Sequence, residues 1–256
     1  PEDKMKSAHF FALAADQQHP CAQFNLAKMY HKGEILTIVD TKKAVELYKK
    51  AADQNYAKAQ YMLGMMYSKG DIGIEKNSME AVKYYEMAAK NGIPEAQLNL
   101  GVIYFKGDGD VAPDKSRAVQ LFTMASEGNP TAQYNLANLY QNGDGVERDV
   151  QKAVGLYARA AEGGSKEACH NLGVLYETGD GGVERDTRKA FEYYRKGAEL
   201  GNKKSQTNLQ LMMQRGEAPV EDGREKTKKV DSPEENEETS KKENESKPGN
   251  NEPSNP

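Results

Sequence analysis

The sequence predicts an all-α solenoid, and three observations carry that prediction. A motif starting at Ala22, Ala59, Ala96, Ala132, Ala168 and Ser205 returns every 36 or 37 residues. Inside it the apolar residues fall three and four apart, the spacing of a helix face and not of a strand. Each motif is closed by a glycine, and all but the last are followed by a second helical pattern. A period of this length, built from helix pairs, is the signature of stacked repeats.

The first helix of each unit, helix A, is the more regular. Four residues after the marker comes Leu26, Leu63, Leu100, Leu136, Leu172 and Leu209, and four further on comes Tyr30, Tyr67, Tyr104, Tyr140 and Tyr176, with Met213 at the last. Met29, Met66, Ile103, Leu139 and Leu175 widen that stripe. The residue after the leucine is small (Ala27, Gly64, Gly101, Ala137, Gly173), which lets another helix approach closely. Pro20, Pro94 and Pro130 stand two residues before the marker, at a first turn where the missing N–H costs nothing. Gly33, Gly70, Gly107, Gly143, Gly179 and Gly216 end the helix.

Helix B follows as "AVELYKKAA", "AVKYYEMAA", "AVQLFTMAS", "AVGLYARAA" and "AFEYYRKGA", and the opening "SAHFFALAA" is the same segment. Four residues before each stands an N-cap candidate: Asp3, Asp40, Asn77, Asp114, Asp149 or Asp186. Its fifth position is always aromatic: Phe11, Tyr48, Tyr85, Phe122, Tyr157, Tyr194. A single helix pair cannot bury its own stripe, whereas stacked pairs share a continuous core. The solenoid is therefore expected over residues 3–216, as a lone helix B, five A–B pairs and a closing helix A that acts as a cap. The opening helix B lacks its partner and the chain lacks an initiating Met, so further repeats are expected upstream in the native protein.

The remaining residues, 217–256, hold 12 acids and 7 bases, no aromatic and almost no aliphatic side chains. Such a tail cannot offset its ordering entropy by burial and is expected to be disordered. The body before it carries 27 acids and 28 bases. That balance argues against general nucleic-acid binding, which needs many phosphate-neutralising cations. No stretch reaches the length of a membrane span, so this segment is not expected to insert directly into a membrane.

No catalytic, cofactor or metal motif stands out. His9, His19, His31 and His170 form no ligand pair on one helix, and there is no C-x-x-C, Walker loop or G-x-S-x-G. "GDGD" at Gly107–Asp110 lacks the spacing of a calcium loop. Cys21 and Cys169 lie four repeats apart, beyond disulfide reach. A reducing compartment such as the cytoplasm fits that cysteine usage.

The order A-Q-x-N-L-G-x-x-Y…G…A-V-x-x-Y-x-x-A-A resembles the Sel1-like repeat, a relative of the tetratricopeptide repeat. It is carried by Ala59–Ala89, Ala96–Ser126, Ala132–Ala161 and Ala168–Ala198, and more loosely by Ala22–Ala52. The resemblance implies a right-handed superhelix of antiparallel helix pairs that acts as a non-catalytic protein-binding scaffold. Relatives serve in endoplasmic-reticulum quality control, cell-wall regulation, bacterial host interaction and mitochondrial stress signalling. The stretch from Leu172 to Asn202 is most similar to the mitochondrial stress-relay branch, so mitochondrial or endoplasmic-reticulum association is the alternative location. A stress-signalling adaptor that activates a kinase or self-assembles is the alternative role. The rival class is an enzyme whose site spans repeats.

In stacks of this kind helix A lines the concave groove. Positions flanking the core leucine share a face apart from the buried ladder. They give Phe24, Tyr61, Leu98, Tyr134 and His170 in one row, Lys28 and Asn138 in the next, then Phe105, then Lys32, Lys69, Lys106 and Asn142 at the helix end. The functional reading is an aromatic floor with a lysine rail, suited to a protein or peptide segment with acidic groups. The competing reading is that the rings pack on neighbouring helices and the lysines only complement the helix dipole. The asparagine before each leucine (Asn25, Asn99, Asn135, Asn171, Asn208) recurs too regularly for a contact residue. It is expected to hydrogen-bond backbone between helices.

Overall fold

The computed structural model describes residues 2–35 and 39–218. They form twelve α-helices. Six are of type B: α1 (Glu2–Asp16), α3 (Thr41–Asp53), α5 (Ser78–Lys90), α7 (Lys115–Ala125), α9 (Val150–Glu162) and α11 (Thr187–Glu199). Six are of type A: α2 (Pro20–His31), α4 (Ala57–Lys69), α6 (Pro94–Lys106), α8 (Pro130–Asn142), α10 (Lys166–Thr178) and α12 (Lys203–Gln214). Each packs chiefly on its neighbours in sequence, as a solenoid requires. The expected acidic tail lies outside the described residues from position 219 onward.

The chain starts and stops its helices with local chemistry. Asp40, Asn77, Asp114, Asp149 and Asp186 each accept a hydrogen bond from the backbone N–H three residues on. Asp3 departs from this pattern, because α1 already begins at Glu2 and Asp3 lies inside its first turn. Pro20, Pro94 and Pro130 sit in the first turns of α2, α6 and α8. At the other end Gly70 and Gly107 take φ of 74° and 75° with an extended ψ, a conformation that side chains strongly disfavour.

The small residue after each core leucine seats a ring. A methyl group built on Gly64 would lie 2.5 Å from the Tyr85 ring, one on Gly101 2.6 Å from Phe122, and one on Gly173 2.5 Å from Tyr194. The fifth-position aromatic of helix B therefore lies directly against the backbone of its own helix A. Tyr48, Tyr85, Phe122, Tyr157 and Tyr194 are all buried there. Phe11, on α1, has no such seat and is only half-buried.

Successive repeats are tied by two polar devices. The glutamine of the A-Q motif reaches back to the last carbonyls of the preceding helix B: Gln23 to Ala15, Gln60 to Ala52, Gln97 to Ala89, Gln133 to Ser126 and Gln206 to Ala198. Cys169 replaces it in α10 and is buried. In the A-to-B turns, the aspartate after the helix-ending glycine pairs with the previous repeat: Asp71 with His31, Asp108 with Lys76, Asp144 with Lys115 and Asp180 with Arg148. The "GDGD" turn thus serves as a staple, with Lys76 and Ser78 both on Asp108. The hydrogen bond from Lys76 holds the Asp108 carboxyl below the usual carboxylate range.

The two ends differ from the middle. Phe10 on α1 is 67% exposed, whereas Leu47, Tyr84, Leu121 and Leu156 at the same position of later helices are buried. On α12 the small residue is replaced by an exposed Gln210.

Candidate functional site

The first row of the helix A face is half-buried, not an open floor. Its rings stand on the helix-B ring of their own repeat. Phe24 lies 5.6 Å from Tyr48, Tyr61 6.0 Å from Tyr85, Tyr134 5.9 Å from Tyr157, and His170 5.8 Å from Tyr194. Phe24 also meets Tyr56, the residue before α4, at 5.3 Å. Leu98 and Phe105 are half-buried against the same core, and the Lys115 ammonium lies 5.9 Å from the Phe105 ring centre. Each side chain therefore has one edge in the core and one toward solvent, so packing and contact are not exclusive roles here.

Beneath this row lies a feature that periodicity alone did not disclose. The helix-B tyrosines bring their hydroxyls out onto the helix A face. Tyr157 accepts a hydrogen bond from Asn171 Nδ2 at 3.1 Å, and Asn138 Oδ1 and Gln141 Oε1 are both within reach of its single proton. Asn171 also donates to Asn138, which joins α10 to α8. Tyr194 donates to Glu177 at 2.7 Å, and Glu177 accepts from Arg215 at 3.0 Å. Burial raises Tyr85 to about 12, and it raises Tyr157 and Tyr194 further, so these hydroxyls stay protonated.

This network corrects the expected role of the recurring asparagine. Asn99 donates to the Tyr85 hydroxyl and Asn171 to that of Tyr157. The asparagine thus meets the tyrosine hydroxyl of the preceding helix B, while backbone is served by the glutamine two residues earlier. Asn25 does reach backbone, but that of its own helix, at Cys21. Two positions break the pairing in opposite ways. Met62 stands where an asparagine would meet Tyr48, and the buried Tyr48 hydroxyl has no partner. Phe122 offers no hydroxyl to Asn135.

A buried hydroxyl without a partner contributes nothing, so Tyr48→Phe is expected to leave the melting temperature unchanged or slightly raised. Phe122→Tyr is expected to add about 1 kcal/mol by giving Asn135 an acceptor. Urea titrations of both variants check the pairing. A loss of stability in Tyr48→Phe would count against it.

The outer positions differ again. Lys28, Lys32, Lys69, Lys106 and Asn142 are exposed. Lys32, Lys69 and Lys106 end three successive A helices, and none has an ion pair among the described residues. Asn138 is engaged by Tyr157 and Asn171, so it presents less free polar capacity than its position in the sequence suggested. Among the described residues no three His, Cys, Asp or Glu side chains gather as a metal site would require. None of their helices is long and apolar enough to cross a membrane.

The Sel1 repeat pattern matches residues 1–19, 22–56, 57–93, 94–130, 130–165 and 166–202. The chain belongs to the Sel1 repeat family. Each full Sel1 match begins at or near a helix A and ends after its helix B, the same division drawn by the buried rings. Sel1 repeats generally serve as protein-interaction scaffolds. Among solved structures, the chain is similar to c5321, a protective antigen present in uropathogenic Escherichia coli strains and displaying an SLR fold. The identity is 35% and the TM-score 0.77, over 83% of this chain and 45% of that one. It is also similar to a Sel1 repeat protein from Oxalobacter formigenes, at 33% identity and a TM-score of 0.67, over 81% of each chain. The chain thus spans less than half of c5321. No curated protein matches it.

Proposed function

We propose that this Sel1 repeat chain is a non-catalytic scaffold whose helix A face holds an extended acidic segment of a partner protein. Its half-buried row of Phe24, Tyr61, Leu98, Tyr134 and His170 offers one apolar or aromatic edge per repeat. Repeats at a fixed period suit a partner whose side chains are read one after another. The polar hydroxyl network under repeats four and five holds that surface in a single arrangement.

One observation carries the charge preference. At the edge where helix A ends, three cations of the A-to-B turns and helix B are each neutralised by an aspartate of the next turn: Lys76 by Asp108, Lys115 by Asp144 and Arg148 by Asp180. The cations of helix A at that edge, Lys32, Lys69 and Lys106, are left without an acidic partner among the described residues. Three free ammonium groups at a one-repeat interval are a rail for carboxylates.

Peptides selected from a random display library on the full chain are expected to be rich in Asp and Glu. Changing Lys32, Lys69 and Lys106 together to Glu is expected to weaken a selected peptide by tenfold or more, on the order of 1.4 kcal/mol. Affinity should fall steeply with salt. Far-ultraviolet circular dichroism should be unaltered, since all three side chains are exposed. Selected peptides without acidic bias, or undiminished affinity in the triple variant, would remove the rail.

A further inference from the structure

A second cluster of positive charge lies at the opposite ends of the A helices. A recess of about 410 Å³ opens between α8, α10 and α12, with Tyr134 and His170 along its wall. Lys166, Lys203 and Lys204 border it, and Glu167 is the one carboxylate there. Lys166 is the first residue of α10, and Lys203 and Lys204 are the first two of α12. None of the three has an ion pair among the described residues.

That placement runs against helix electrostatics. The N-terminus of a helix carries partial positive charge and favours acids, so lysines there cost stability. The last-turn lysines Lys69 and Lys106 have a structural excuse that these three lack. Asn202 already caps α12, accepting from the Ser205 N–H and donating to the Lys166 carbonyl, so the lysines are not needed to order the turn.

His170 Nδ1 is buried with no hydrogen-bond partner. Burial and the nearby Lys204 charge hold this imidazole below the usual histidine range, so it adds no positive charge of its own. Asn171 beside it is already committed to Tyr157 and Asn138.

We infer that this recess is a second anchor for the acidic partner segment, receiving its carboxylates on Lys166, Lys203 and Lys204 while an apolar side chain lies against Tyr134 and His170. The inference rests on the reading that the helix A face holds a peptide. It adds a direction to that reading. The rail lies where α2, α4 and α6 end, and the recess where α10 and α12 begin, so one bound segment would cross the face obliquely from one edge to the other.

The test uses the full chain and a fluorescein-labelled peptide of alternating glutamate and tyrosine, about 24 residues long so that it can span from the rail to the recess, with a glutamine–tyrosine counterpart as control. The acidic peptide is expected to bind, to shift the His170 imidazole resonances, and to lose tenfold or more in affinity in the variant Lys166→Glu, Lys203→Glu, Lys204→Glu. Because the replacements favour the helix dipoles, that variant should melt no lower than the parent, so lost binding cannot be ascribed to unfolding. Retained affinity in this variant, a static His170 signal, equal binding of the glutamine peptide, or no binding at all would each overturn the anchor. So would displacement by equimolar inorganic phosphate, which would mark a simple anion site. The variant at Lys32, Lys69 and Lys106 is measured alongside. Loss there with no loss in the recess variant rejects the anchor and keeps the rail, and the reverse rejects the rail and keeps the anchor.

Discussion

Tyr157→Ala is expected to lower the stability of the solenoid by about 4 kcal/mol, since truncating a fully buried aromatic typically costs about 3–5. Tyr157 is 0% exposed and sits at the contact of α8, α9 and α10. Its ring fills the seat against helix A, under Tyr134, and its hydroxyl serves Asn138, Gln141 and Asn171. Truncation removes the apolar burial and strands those amides together. Tyr157→Phe separates the two contributions. It keeps the ring and is expected to cost about 1–2 kcal/mol, the price of leaving amides short of a partner. Repeat stacks hold together through nearest-neighbour interfaces, so a gap in the fourth repeat should also reduce cooperativity. Urea unfolding followed by circular dichroism should show a broadened or two-step transition in Tyr157→Ala and a single shifted one in Tyr157→Phe. A loss below about 1 kcal/mol for the alanine variant would mean that the ring is not a keystone of the stack.

The second large effect is expected from overfilling the seat. Gly173→Val is expected to cost about 3 kcal/mol, toward the upper end for overpacked cores. Any Cβ at Gly173 begins 2.5 Å from the buried Tyr194 ring, which is itself tied to Glu177. The ring cannot swing away without breaking that bond. Gly173→Ala should be far milder, within about 1 kcal/mol of the parent, because the gain in helix propensity offsets a small ring displacement. Ala27 and Ala137 occupy the equivalent place in two other repeats and are fully buried, so the fold does admit one methyl there. Thermal melts of the alanine and valine variants decide the matter. Equal melting temperatures for both would show that the helices stand further apart than this geometry requires.

Much of the fold was legible because repetition multiplies weak signals. A leucine followed four residues later by tyrosine says little once, but five occurrences at one register define a helix face. Caps and breaks were legible for a related reason. The carboxylate or amide that accepts from the N–H three residues on, and the glycine with positive φ, act within a few residues of chain. The small residue after the leucine also foretold close approach, and the rings at Gly64, Gly101 and Gly173 occupy that space.

The polar side chains were less legible. Recurrence set Asn25, Asn99, Asn135, Asn171 and Asn208 apart as scaffold, and Asn25, Asn99 and Asn171 do bond within the stack, but recurrence did not name their partners. The hydroxyls of Tyr85 and Tyr157 sit 14 residues away from Asn99 and Asn171 and reach them only because helix B of one repeat lies under helix A of the next. The glutamine beside the marker alanine looked like part of a motif. Its bond to the previous helix-B carbonyl emerges only when the turn between them closes. Likewise, Asp71, Asp108, Asp144 and Asp180 read as turn residues, and their cations come from the preceding repeat.

By itself, then, the sequence determined the helices, their order, their ends and the division of each repeat into a constant and a variable part. These depend on interactions within a few residues, and spacing along the chain records them directly. Only the tertiary structure decided which helix A cations lack an ion pair among the described residues, which asparagines are already spent, and that Lys166, Lys203 and Lys204 converge on one recess. Those outcomes depend on distances between side chains that lie a full repeat apart in sequence, and such distances exist only after the repeats have stacked.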